Sequence, residues 1–221
     1  MRLHTAGTAR GFGKPIVARI TLEPLPASQR KDSALVLPSL DQRPNDFHGY
    51  AAVIVKQEVN ARRFSAPLVH SVRDIDHLSS GHIVVLESAN GFIRTLYRPE
   101  SRHNTLFATE RCNSNCLMCS QPPIDKDDTH ALTERNLKLI DLMTPAPDYL
   151  CITGGEPTLL EERLLTILTK LRDTMSGELM QTQNRLVEGV PCLNDVIMQG
   201  CVIGVKRNPE AQVRMADPCK P

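Results

Sequence analysis

The sequence predicts an α/β fold in two parts: a small β-rich N-terminal domain, residues 1–100, followed by the start of a strand-and-helix layer or barrel. Two observations predict it. Up to about residue 100 the chain is a series of short segments rich in Val, Ile and Tyr, broken by turn formers. From residue 103 the texture changes to strand, loop, helix, strand, helix, an alternation that implies parallel strands joined by crossovers. A length of 221 residues accommodates one domain or two unequal ones, and needs no staple merely to fold.

Taken in order, "PIVARITL", "SALVLP", "YAAVIVKQ", "GHIVVLES" and "GFIRTLYR" read as strands. The last two flank Ala89-Asn90-Gly91, a hairpin signal. Proline and polar clusters at 24–33 and 41–49 read as loops. Beyond them "NTLFATE" reads as a buried strand, and "LTERNLKLIDLM" (132–143) as a helix with Leu137, Ile140 and Met143 on one face. "DYLCIT" (148–153) reads as a second strand, and "LEERLLTILTKL" (159–170) as a second helix with Leu160, Leu164 and Leu168 in line. The legible strand-and-helix core spans 103–172. After Arg172 the periodicity fails, and 173–221 is expected to be an irregular tail.

Composition narrows the function classes. A formal net charge of +1 with 23% charged residues offers no electrostatic footprint for nucleic acid, and none for a membrane surface. Neither a signal-peptide core nor an apolar run of about twenty residues occurs, so the expected address is cytoplasmic. Seven cysteines without a secretory signal favour reduced thiols over a disulfide framework.

Three of those cysteines, Cys112, Cys116 and Cys119, fall in "TERCNSNCLMCSQPP" with the spacing C-x3-C-x2-C. Asn113, Ser114 and Asn115 between them are turn formers, which suits a loop wrapped around a compact metal centre. Thiolate is a soft ligand, so zinc and an iron–sulfur cluster are the candidates. Unliganded cysteines on one helix face are the plain alternative, since offsets of four and seven are helical neighbours. Zinc would need a fourth ligand, for which His103, His130 and Cys151 are available but not in a compact pattern. A four-iron cluster with three cysteine ligands instead leaves one iron open for a substrate or cofactor. The loop follows the end of one expected strand, while "GGEP", residues Gly154, Gly155, Glu156 and Pro157, follows the end of the other. In α/β folds that edge is where chemistry sits.

The combination of C-x3-C-x2-C after one strand with "GGEP" after the next resembles the radical S-adenosylmethionine (SAM) superfamily. Within it, "TERCNSNCLMCSQPP" with "ITGGEPTLL" resembles the radical SAM maturases of His-Xaa-Ser peptide systems, the HxsC type. The resemblance is close over about 103–172 and loose before it. It implies a 4Fe-4S cluster on Cys112, Cys116 and Cys119 whose open iron is chelated by SAM, with Gly154 to Pro157 at the methionine end of SAM. It implies reductive cleavage of SAM and abstraction of hydrogen from a peptide bearing His-Xaa-Ser repeats. An electron donor and a second maturase subunit are the implied partners. Met118 stands where the superfamily usually has an aromatic residue, and Ser120, Gln121, Pro122 and Pro123 extend the match or simply form a rigid loop exit. Cys151 is expected in the core, and Cys192, Cys201 and Cys219 have spacings that match no auxiliary-cluster pattern.

The family core resembles a six-unit partial barrel with at least about thirty residues per unit, so residues 103–221 cannot complete one. The expected fold is therefore the start of a partial (β/α) radical SAM barrel. The irregular tail is expected to mark a truncated or frame-shifted end, or else a short form that takes its missing wall from a partner. Alongside the enzyme stand two other expectations: an inactive remnant or partner-dependent cluster-binding module, and a zinc-bound interaction domain.

Overall fold

The computed structural model describes residues 3–39, 46–113, 119, 124–144, 147, 149–174 and 203–206. It is a mixed α/β protein with one large sheet and two helices. Two compact units divide it: Met1–Glu100 with Leu142–Thr144, and Ser101–Asp141 with Pro145 onward.

The first unit holds β1 (His4–Ala6), β2 (Thr8–Arg10), β3 (Ile16–Thr21), β4 (Ser33–Leu37), β5 (Ala52–Val55), β6 (Leu68–His70), β7 (Ile83–Leu86) and β8 (Phe92–Tyr97). The five strands expected from sequence are β3, β4, β5, β7 and β8. β7 and β8 pair antiparallel across the expected hairpin, where Asn90 Oδ1 accepts from Phe92 N at 3.0 Å and Gly91 takes φ 62°. β3 to β6 run parallel, an arrangement the short β-rich segments do not announce.

The sheet order is β1-β8-β7-β3-β4-β5-β6-β2. Only Gly7 separates β1 from β2, so one run of chain pairs with β8 by its first half and with β6 by its second. The two ends of the sheet are thereby joined through Gly7, an arrangement that shortens the unpaired strand edges. Alternation then sorts the side chains into two cores. Ala34 and Val36 join Ala18, Ile20, Ile54, Val69, Val84, Leu86 and Ile93, a cluster drawn from every strand from β3 to β8 and hence the enclosed one. Leu35 and Leu37 point the other way, into a cluster with Phe47, Tyr50, Val53, Val55 and Leu68.

The second unit runs β9 (Asn104–Phe107), α1 (Thr129–Leu142), β10 (Tyr149–Thr153), a 3-10 turn (Pro157–Leu160), α2 (Glu162–Thr174) and β11 (Ile203–Lys206). β9 and β10 are parallel neighbours, as the alternation predicts, with Leu106 opposite Ile152 and Phe107 opposite Thr153. Residues 173–221, expected to be irregular, include the end of α2 and all of β11, which pairs antiparallel with β10. The β-branched alternation of "CVIGVK" accounts for β11, and one such strand is too short to register against an otherwise aperiodic stretch.

Both helices are turned slightly from the faces expected. On α1 the buried residues include Thr133, Asn136, Leu139 and Ile140, while Leu137 is only half-buried. On α2 they are Leu164, Ile167 and Leu171, and Leu168 is half-buried. In α1 the reason is polar: Asn136 Nδ2 donates to Phe107 O at 3.0 Å, so an amide occupies a place that a count of leucines cannot find. Among the described residues no helix is long and apolar enough to cross a membrane.

Candidate metal centre at the strand ends

The site grows from the C-terminal ends of β9 and β10. Ala108 N donates to Thr153 O at 2.7 Å, which carries the parallel pairing one residue past β9. The following segment, Thr109 to Arg111, then lies against the Gly-Gly-Glu-Pro turn: Gly155 N donates to Thr109 O at 2.7 Å and Glu156 N to Arg111 O at 2.9 Å. Both glycines are required by this approach. A Cβ on Gly154 would stand 2.5 Å from Thr109 O, and one on Gly155 would stand 2.2 Å from Arg111 O and 3.0 Å from Cys112 Cβ. The two sequence motifs are therefore in direct contact, and Cys112 is the residue at the seam.

The opposite side of the same segment is held by the start of α1. Asp128 Oδ1 accepts from the Thr109 hydroxyl at 2.5 Å and Oδ2 from Glu110 N at 2.8 Å. The Thr109 hydroxyl accepts in turn from Arg111 N at 3.0 Å. Thr109 is fully buried, so its hydroxyl needs these partners, and its carbonyl is engaged as well. Further out, Arg111 bridges in parallel to Ile124, and its Nε donates to Asp125 Oδ1 at 3.3 Å. These contacts close the neck of a loop that contains all three clustered cysteines.

Within that loop Cys112 is half-buried and Cys119 exposed. Cys116, Met118, Ser120, Gln121, Pro122 and Pro123 lie outside the described residues, as do Cys192, Cys201 and Cys219. Among the described residues no group of three or more Cys, His, Asp and Glu comes together as a metal set. Thiol is the soft kind of donor that zinc and iron–sulfur centres take, and the Cys112 Cβ lies where a side chain on Gly155 would meet it. His103 stands at the other end of β9 from Cys112, and His130 is exposed in α1 with its ring 3.9 Å from Glu134.

Glu156 is 4% exposed and caps the 3-10 turn, Oε1 accepting from Thr158 N at 3.1 Å and from its hydroxyl at 2.7 Å. Pro157 follows at the first turn position, where its missing N–H costs nothing. The space left by the missing side chains of Gly154 and Gly155 is occupied by the chain's own Thr109 to Cys112. Cys151, expected in the core, is half-buried instead. It alternates with Leu150 and Ile152, both fully buried, and so shares the other sheet face with exposed Thr105, its register partner.

Charge gathers at the neck. The Thr129 hydroxyl and N–H, with Arg111 and Arg163 nearby, hold the Asp127 carboxyl below the ordinary aspartate value. Thr109 and Asp128 were not legible as site residues. The one signal for Asp128 is "DDT" ahead of a helical run, an N-cap pattern that also places the start of α1 at Thr129, three residues before the expected start; Thr109 has none. No family model, no curated protein and no solved structure matches this chain.

Proposed function

We propose that the chain is a radical SAM enzyme of the peptide-maturase type, with a 4Fe-4S cluster on Cys112, Cys116 and Cys119. One observation carries the reading: the Gly-Gly-Glu-Pro turn is hydrogen-bonded to the backbone leading into Cys112, at the C-terminal ends of two parallel strands. Two motifs about forty residues apart thus meet at the edge where α/β folds place their chemistry. When bound, the cluster supplies the electron for reductive cleavage of SAM, and so the radical that takes hydrogen from a peptide bearing His-Xaa-Ser repeats. The protein's part is to hold the thiolates and the backbone of Gly154 to Pro157 in a fixed relation, and to keep water from the reacting groups. The fold that suits this is the start of a partial (β/α) barrel. A cytoplasmic setting, an electron donor and a second maturase subunit belong to the same reading.

A second reading, a cluster-binding module that completes its barrel with a partner, is favoured by β11. It lies antiparallel on the edge of β10 where a further parallel strand of a barrel would continue.

Anaerobic reconstitution with iron and sulfide, then SAM and a reductant, separates these. The enzyme reading expects about four iron and four sulfide per chain, loss of the cluster in Cys116→Ala, and release of deoxyadenosine. Cluster without deoxyadenosine selects the partner-dependent module. Failure to incorporate iron, with stoichiometric zinc taken up instead, overturns both.

A further inference from the structure

We propose that Asp128 is a positioning residue for Cys112. Its carboxylate grips the chain three and two residues ahead of that cysteine, through the Thr109 hydroxyl at 2.5 Å and Glu110 N at 2.8 Å. The same hydroxyl takes Arg111 N at 3.0 Å. On the other side, Thr109 O and Arg111 O receive Gly155 N and Glu156 N. Residues 109–111 are thus bracketed between Asp128, just ahead of α1, and the Gly-Gly-Glu-Pro turn, and Cys112 leaves the bracket beside Gly155. A charge-assisted acceptor with both oxygens engaged is the strong kind of hydrogen-bond anchor, and here it acts on a fully buried hydroxyl. Asp128 touches neither thiol nor turn in these bonds; it acts through Thr109.

The bracket has an electronic consequence as well as a geometric one. It commits the Glu110 and Arg111 amides to oxygen, so neither is directed at the Cys112 sulfur. Amide hydrogen bonds to sulfur and loss of nearby negative charge both raise an iron–sulfur reduction potential. With Asp128 in place, both influences keep the potential low, as an electron donor to SAM requires.

The first test uses the full chain without metal, and rests on geometry alone. Alkylation of each cysteine is followed by peptide mass spectrometry in wild type, Asp128→Asn, Thr109→Val and Thr109→Ser. Loss of the bracket speeds modification of half-buried Cys112 by about fivefold in Asp128→Asn and Thr109→Val. Cys119 keeps its rate, and Thr109→Ser, which retains the hydroxyl, keeps the wild-type rate at Cys112. An unchanged Cys112 rate, or an equal rise at Cys119, overturns the proposal. Should Asp128→Asn fail to fold, the near-isosteric Thr109→Val decides the matter. The second test rests on the iron–sulfur reading above. In reconstituted protein at a fixed applied potential, Asp128→Asn raises the ratio of reduced to oxidised cluster about tenfold, a 59 mV positive shift for one electron. An unchanged ratio overturns the proposal too. If wild type takes up no iron, the functional reading falls and the alkylation result alone settles the role of Asp128.

Discussion

The two units solve the same packing problem with the same residue and put it to different uses. In the first, Gly7 and Gly91 let backbone meet backbone where the sheet closes: a Cβ on Gly7 would lie 2.5 Å from His70 O, and one on Gly91 would lie 2.1 Å from Gly7 O. In the second, Gly154 and Gly155 admit Thr109 O and Arg111 O at 2.5 and 2.2 Å. Around Gly7 the bond that completes the contact is backbone to backbone, Gly7 N to Gly91 O at 3.0 Å. Around Gly155 the polar groups include side chains that no strand pairing requires: the buried Thr109 hydroxyl, the Asp128 carboxylate and the buried Glu156 carboxylate. A close approach made by backbone alone completes a sheet. One to which side-chain hydrogen bonds and a thiol are added holds a loop as well as a sheet, and this is the difference between the two seams.

The sharpest way to break the comparison is to give each seam a methyl group. Gly91→Ala places a Cβ against a backbone carbonyl inside a closed ring, at φ 62°, where an L-residue is strained besides. A loss of about 3 kcal/mol is expected, read as a fall of more than about 10 °C in the melting temperature of the first unit. Gly155→Ala meets a comparable overlap at the mouth of a loop, which can shift where a ring cannot. A smaller loss of about 1–2 kcal/mol is expected there, together with loss of iron uptake on reconstitution. If Gly155→Ala lowers the melting temperature as far as Gly91→Ala and leaves iron uptake intact, the seam beside Cys112 is structural only.

Next in size is the cap. Glu156→Ala removes the acceptor for Thr158 N and its hydroxyl, at a cost of about 1 kcal/mol. Glu156→Gln retains a carbonyl oxygen and recovers most of it. A Gln variant as unstable as the Ala variant in chemical denaturation would show that the charge, rather than the cap, is what this position needs.

What could be read in advance divides along the same line. Strands β3, β4, β5, β7 and β8 were legible because each is a run of β-branched or aromatic residues bounded by turns, and Asn90-Gly91 announces its hairpin locally. Closure was not legible, because β1, β2 and β6 are three residues each and their partners lie far along the chain. The cysteine loop and the glycine turn could be found by spacing and by where they follow strands. The Thr109–Asp128 link spans nineteen residues and consists of side-chain bonds that no local pattern encodes. Cys151 was misplaced for a related reason: an apolar run such as "YLCI" hides which alternate residues face the helices. The pairing of Cys151 with exposed Thr105 resolves it.

The smallest expected effect sets one exposed carboxylate from each unit against the other. The Asp46 carboxyl is held below its ordinary value first by His48 N, which donates to Oδ1 at 2.7 Å, and then by the Arg30 guanidinium at 2.8 Å. Asp127 is held low first by the Thr129 hydroxyl and then by Thr129 N, with Arg111 and Arg163 contributing less. In both cases the folded pKa lies below the unfolded one. The stabilisation is therefore fully present above the ordinary aspartate range and is lost as pH falls through the lower folded value. Amide-exchange protection at His48 and at Thr129 should decline together over that acid window. Both lean first on neutral donors, but salt should part them in degree, because the Arg30 guanidinium bonded to Asp46 ranks second there while Arg111 and Arg163 rank last at Asp127. Raising the ionic strength is expected to move the acid transition at His48 upward toward the ordinary aspartate range and to leave that at Thr129 nearly in place. An equal shift at both would mean that Arg111 and Arg163 govern Asp127, and that the turn into α1 is held by longer-range charge rather than by its short bonds to Thr129.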